Sequence, residues 1–111
     1  MDKLDDYRDV IEKVLREYAD IRYSYGDLEN RVLFDRKRDQ YALIALGWND
    51  KHREHGIVAH LEIKDGKIWI QEDNTETGIA TDLEAAGVPK EDIVLGFRHP
   101  HLRPYTEYAV R

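Results

Sequence analysis

His60 and Glu62 lie two residues apart in a run of alternating character, so on a strand their side chains share one face. The Asp65-Gly66 reversal sets Trp69 opposite Glu62. A His–carboxylate pair against an aromatic wall is the arrangement of a small acid/base site. The same residues also make an ordinary polar sheet face at a contact surface, and that reading is favoured. His99-Pro100-His101 is the other histidine cluster. No Cys or spaced carboxylate accompanies it, and no helix holds both rings on one side of a metal, so it reads as a solvated loop. His52 and His55 are three apart in a hairpin, a spacing that points them to opposite faces of a strand.

The chain has no cysteine, which excludes disulfides, a thiolate nucleophile and Cys-based zinc sites. It contains no Gly-rich phosphate loop, nucleophile elbow, Walker-type lysine, zinc-protease helix or calcium loop. No cofactor, metal or catalytic set is therefore expected. Trp48, Trp69, Tyr41, Tyr105 and Tyr108 could stack on bases, but aromatics on strands more often pack. The net charge of −6 repels phosphate backbones. Arg36-Lys37-Arg38 with Lys51, His52 and Arg53 is the one basic cluster that could override that sign, and it reads as two solvated hairpin loops. Nucleic acid is expected as an indirect partner only.

The elements that would carry these residues follow from periodicity. Leu4, Tyr7, Ile11, Val14, Leu15 and Tyr18 recur at helical spacing, with charged residues on the other side. Asp2 can cap this helix, and Ser24-Tyr25-Gly26 supplies a turn to end it. The period then changes to two in runs 28–35, 41–48, about 53–64, and 67–73. Short links with no intervening helix predict a four-stranded antiparallel meander in the order 1-2-3-4. A two-residue turn at Asp65-Gly66 sets Ile63 against Ile68, Leu61 against Ile70, Glu62 against Trp69 and His60 against Gln71.

One face of the sheet would carry Ile57, Ala59, Leu61, Ile63, Ile68 and Ile70 and lie under the helix; the other would mix Val58, His60, Glu62, Trp69 and Gln71. Leu43, Ile44, Ala45, Leu46 and Trp48 are apolar on both sides, so something should cover the second face: the C-terminal segment, a second copy, or another protein. A short helix over about 78–86, capped by Thr75 or Thr77 and stopped by Gly87, comes next. Residues 88–97 read as a turn and a short apolar segment, and 97–111 as an irregular tail. With 41% hydrophobic and 36% charged residues and no linker-like stretch, residues 1–111 form one α+β domain in two layers. No run approaches a membrane span and the N-terminus lacks the features of a signal peptide, so the cytoplasm is expected.

Three stretches together resemble the XisI family: Tyr41 through Gly47-Trp48, the run His60 through Gln71, and Gly87 through Phe97. The likeness extends to the opening Met1-Asp2-Lys3-Leu4 and the closing Arg103-Pro104-Tyr105-Thr106-Glu107-Tyr108-Ala109-Val110. That family comprises cyanobacterial controlling factors for excision of the fdxN DNA element, removed during heterocyst differentiation. The resemblance implies a DNA-rearrangement context and a partner, an XisH-like protein of nuclease-like fold, with this chain as the non-enzymatic accessory member. It carries over no catalytic residue.

The expected activity is thus protein–protein binding. Val58, His60, Glu62, Trp69 and Gln71 form the expected partner surface, joined by Arg103 and Thr106 as polar tail residues without an evident packing duty. A homo-oligomer is compatible with the same face. A small His/Glu-dependent enzyme and a direct nucleic-acid binder are the alternatives.

Overall fold

The computed structural model describes residues 2–21 and 27–111. Its first element, α1 (Lys3–Ala19), starts where expected: Asp2 accepts a hydrogen bond from the Leu4 N–H at 3.0 Å, and Asp5 and Asp6 occupy the first turn. The apolar stripe buries Tyr7, Ile11, Val14 and Leu15. Each such aliphatic side chain contributes roughly 1.5–3 kcal/mol on leaving water. The turn predicted at Ser24-Tyr25-Gly26 lies outside the described residues.

Four hairpin-linked strands follow: β1 (Asp27–Asp35), β2 (Gln40–Asn49), β3 (His52–Lys64) and β4 (Lys67–Asp73). Asp65 and Gly66, at φ 54° and 78°, make the tight β3–β4 turn, and Gly accepts that left-handed backbone without a Cβ clash. The predicted pairs Ile63–Ile68, Glu62–Trp69 and Leu61–Ile70 all form.

The sheet differs from the predicted meander in one respect of topology. Beyond β4 come α2 (Ile79–Ala85), a 3₁₀ turn (Lys90–Asp92) and β5 (Ile93–Leu95), which pairs with β4 in parallel. The result is a five-stranded mixed sheet in the order β1-β2-β3-β4-β5. The parallel connection is possible because α2 and its flanking loops form a crossover. All three residues of β5 are buried, so the strand shows no alternation to mark it.

Two bulges alter which residues face the helices. Leu43 pairs with Ala59 but Ile44 with Ile57, leaving Val58 as the extra residue; Leu61 pairs with Ile70 but His60 with Glu72, leaving Gln71 as the extra one. His60 therefore faces Glu72, not Gln71. Because each slip of one residue exchanges the faces of a strand, Ile57 turns outward and is 45% exposed, while Val58 packs against the helix-side core. Asn74 completes the distorted backbone: its N–H donates to the Val58 carbonyl at 2.8 Å and its amide to the Ile57 carbonyl at 3.2 Å.

Both helices lie on one face of the sheet, over a core of Tyr41, Leu43, Ala59, Leu61, Ile68, Ile70, Ile93 and Leu95. Carboxylates fasten α1 along its length. Asp92 accepts from Tyr7 and Lys3 (2.7 Å to the ammonium), Asp39 accepts from Arg8 at 2.7 and 3.2 Å and from Tyr41 at 3.2 Å, and Asp82 accepts from Tyr18. The Arg8 hydrogen bonds hold Asp39 below the usual carboxylate range against the opposing effect of burial. Burial raises Asp92, but the Lys3 and Tyr7 hydrogen bonds outweigh it and the net shift is downward. Burial and the Asp39 charge push the Tyr41 phenol up to about 12.

The start of α2 is satisfied by Asp73, whose Oδ2 accepts from the Ile79 N–H at 2.7 Å. Thr75 takes the Gly78 N–H at 3.2 Å, whereas Thr77 caps no helix N–H among the described residues and its hydroxyl bonds that of Tyr18. Among the described residues no helix is long and apolar enough to cross a membrane.

Candidate interaction face

The face of the sheet opposite the helices has two halves. Over β4 and β5 it is covered by the C-terminal segment, which is less irregular than expected. That segment contains a 3₁₀ turn at Arg103–Tyr105 and returns to the sheet, the Ala109 N–H donating to the Ile93 carbonyl at 2.9 Å. Beneath it Val94 is fully buried and Trp69 is 8% exposed. Two cations lie over the indole ring, the Lys64 ammonium 4.5 Å and the Arg103 guanidinium 5.3 Å from its centroid.

Arg103 has a packing duty after all. Its guanidinium donates to the carbonyls of Arg98 (3.1 Å), Gly96 (3.3 Å) and Val110 (3.5 Å), tying both ends of the segment together. Thr106 works beside it: its hydroxyl donates to the Arg103 carbonyl at 2.8 Å and accepts from the Tyr108 N–H at 3.3 Å. Gln71, unpaired in its bulge, places its amide oxygen against Gly96. Arg103 and Thr106 therefore hold the cover in place, and Gln71 lies against it.

Over β1, β2 and β3 the face is open among the described residues. Leu33, Ala42, Ile44, Ile57, Gln40 and His60 line a shallow depression of ≈ 330 Å³. Leu33 and Ile57 are 57% and 45% exposed, and Trp48 extends the apolar surface along β2 at 51%. His60 donates from Nε2 to Gln40 Oε1 at 2.8 Å. That bond turns the imidazole toward β2, and among the described residues no hydrogen bond joins His60 to Glu62.

The predicted site residues thus divide three ways. His60 and Glu62 stay on the outer face at the margin of the open half. Trp69, Gln71, Arg103 and Thr106 belong to the covered half. Val58 leaves the face altogether. Leu33 and Ile57 are what sequence reasoning missed; the two-sided apolar pattern of β2, with Ile44 on its outer side, was the available signal.

The other candidates do not assemble into chemistry. His99 and His101 stack at 4.9 Å between ring centroids in an exposed turn, with the His101 N–H donating to His99 Nδ1. No group of three metal-ligating side chains occurs among the described residues. The basic cluster is split by the topology, since the β1–β2 and β2–β3 loops lie at opposite ends of β2. Arg36 is already bound to Asp9 and Glu12, Arg38 to Asp35, and Arg53 stacks on Trp48.

Comparison with known proteins bears on this arrangement. The family model described as XisI protein matches residues 1–110. The chain belongs to the XisI family. Among solved structures, the fdxN element excision controlling factor XisI from Anabaena variabilis ATCC 29413 is 40% identical, with a TM-score of 0.84 over 99% of this chain and 100% of that one. A XisI-like protein from the same organism is also 40% identical, with a TM-score of 0.86 over 95% of this chain and 96% of that one. A comparison with curated proteins gives no match. At this identity and coverage, the XisI-family structures carry the same α+β fold.

Proposed function

We propose that this protein is an accessory controlling factor for excision or rearrangement of a DNA element, and that it acts by binding an XisH-like partner rather than by chemistry of its own. One observation carries the reading: an apolar depression bounded by Leu33, Ile44 and Ile57 stays open on the sheet, while the rest of the same face is closed by the chain itself. Apolar surface of this kind, rimmed by the polar His60, Gln40 and Glu62, suits a protein contact. The name of the similar Anabaena protein supports the excision context. The overall charge and the dispersal of the basic loops support an indirect relation to DNA.

Co-expression with an XisH-family protein, followed by size-exclusion chromatography with light scattering, tests the reading. A complex heavier than either component is expected, lost on Ile57→Asp or Leu33→Asp while circular dichroism stays unchanged. Persistence of the complex in both variants would rule out this surface, and failure of the folded wild-type proteins to associate would rule out the partner model.

A further inference from the structure

The segment that seals β4 and β5 has an outer surface of its own. Between Asp92 and Glu107 the chain contains no acidic residue, although the whole protein has 23 carboxylate side chains and a net charge of −6. The same stretch carries Arg98, His99, His101 and Arg103. It is wound into a compact double turn: the Leu102 N–H donates to the His99 carbonyl at 2.8 Å and the Tyr105 N–H to the Leu102 carbonyl at 3.1 Å. Arg98, His99, His101 and Leu102 are all exposed on it.

Its cations lack carboxylate partners. Arg8, Arg16, Arg31, Arg36 and Arg38 each lie against a carboxylate. Arg98 instead stacks on the Phe97 ring at 5.2 Å, and Arg103 hydrogen-bonds only main-chain carbonyls, so among the described residues neither charge is neutralised. Apolar groups crowd the same place. Of the eight large apolar side chains exposed among the described residues, Phe97, Leu102, Tyr105 and Val110 are four, and Tyr105 is 88% exposed. The display is fixed in advance, because Arg103 ties the turn together and Tyr108 anchors the segment to Glu84 at 2.6 Å. A surface ordered before contact loses less entropy on binding.

We propose that the outside of the C-terminal cover, centred on Arg98, Leu102 and Tyr105, is a second docking surface, and that its occupant is an acidic protein segment with an apolar or aromatic anchor. Uncompensated cations among exposed apolar groups complement a chain in which carboxylates alternate with apolar residues. The Arg98 guanidinium is open to a carboxylate, which it can hold bidentately. Tyr105 and Leu102 supply the packing around that contact. Nucleic acid fits less well: a phosphate backbone would run past the patch over a protein of net charge −6, and Leu102 and Val110 offer no ring to a base. The inference is independent of the partner reading above, since none of these residues lines the open depression.

Selection from a phage-displayed random peptide library on the immobilised full chain should enrich sequences that interleave acidic with aromatic or leucine residues. Fluorescence anisotropy of an enriched peptide should show binding weakened about tenfold or more by Arg98→Glu and by Tyr105→Ser, and unchanged by Ile57→Asp. Added salt should weaken it as well. Neither substituted side chain holds the cover, so circular dichroism and amide exchange at Ala109 should match wild type in both variants. Three results would overturn the proposal: no enrichment of acidic sequences, binding lost on Ile57→Asp but indifferent to Arg98→Glu, or displacement of the peptide by an oligothymidylate that binds more tightly.

Discussion

The two halves of the outer sheet face start from similar side chains and end in opposite states. On β4 and β5, Trp69 and Val94 are sealed under the chain's own C-terminal segment; on β1 to β3, Leu33 and Ile57 face solvent. What separates them is reach. The segment turns back at Arg103, pairs beside β5, and covers no strand beyond the Trp69 neighbourhood. One half has become a small second core, and the other remains a surface that another molecule can bury.

That contrast predicts a graded series of responses. Trp69→Ala should have the largest effect, a loss of roughly 3–5 kcal/mol in denaturant unfolding, because it empties the space between Lys64, Arg103 and Val94. Trp69→Phe should cost much less: the indole N–H is buried without an acceptor among the described residues, so its removal breaks no hydrogen bond. An equal loss in the two variants would show that the N–H has a partner.

Gly47→Ala probes the frame of the open half. Gly47 has φ +142°, and a Cβ there would sit 1.9 Å from the Asp27 carbonyl oxygen. A loss of more than about 1 kcal/mol is expected, with faster amide exchange in β1. Arg103→Ala should cost about 1–3 kcal/mol by releasing three carbonyls, and should raise exchange at Ala109 more than in β2. Arg103→Lys should rescue little, since a single ammonium does not reproduce the guanidinium fork.

Acid should loosen the helix layer before the outer face. Asp39 and Asp92 are held below their unfolded pKa of about 3.9, so the stability they contribute is complete above that pH and is lost as pH falls through their folded values. Melting temperature should fall on going below about pH 4. Asp39→Asn should lower the neutral-pH value and flatten the acid slope; an unchanged slope would assign acid sensitivity to other groups. The smallest stability effect belongs to the open half: Ile57→Asp should stay within about 0.5 kcal/mol of wild type while abolishing partner capture.

Much of the framework was legible before any coordinates. The α1 stripe, the Asp2 cap, the Asp65-Gly66 turn and the three pairs beyond it depend on local spacing, and each formed as read. The outer face was less legible, because its composition depends on register, and register changes at two bulges. Val58 and Ile57 look interchangeable in an alternating run, and only the pairing of Leu43 with Ala59 and Ile44 with Ile57 reveals that they have exchanged faces. Arg103 and Thr106 looked like free polar groups because their partners are main-chain carbonyls and amides, which sequence does not distinguish.

Sequence by itself determined the types of α1, β1 to β4 and α2, the α+β class, the family and the absence of cysteine chemistry, since these follow from composition, periodicity and motif order along the chain. Tertiary structure alone decided the fifth, parallel strand, the faces of Ile57 and Val58, and the division of the outer sheet into a sealed half and an open one. The physical reason is that a three-residue strand, a one-residue bulge and a returning tail are stabilised by contacts between residues distant in sequence, and those contacts leave no periodic trace.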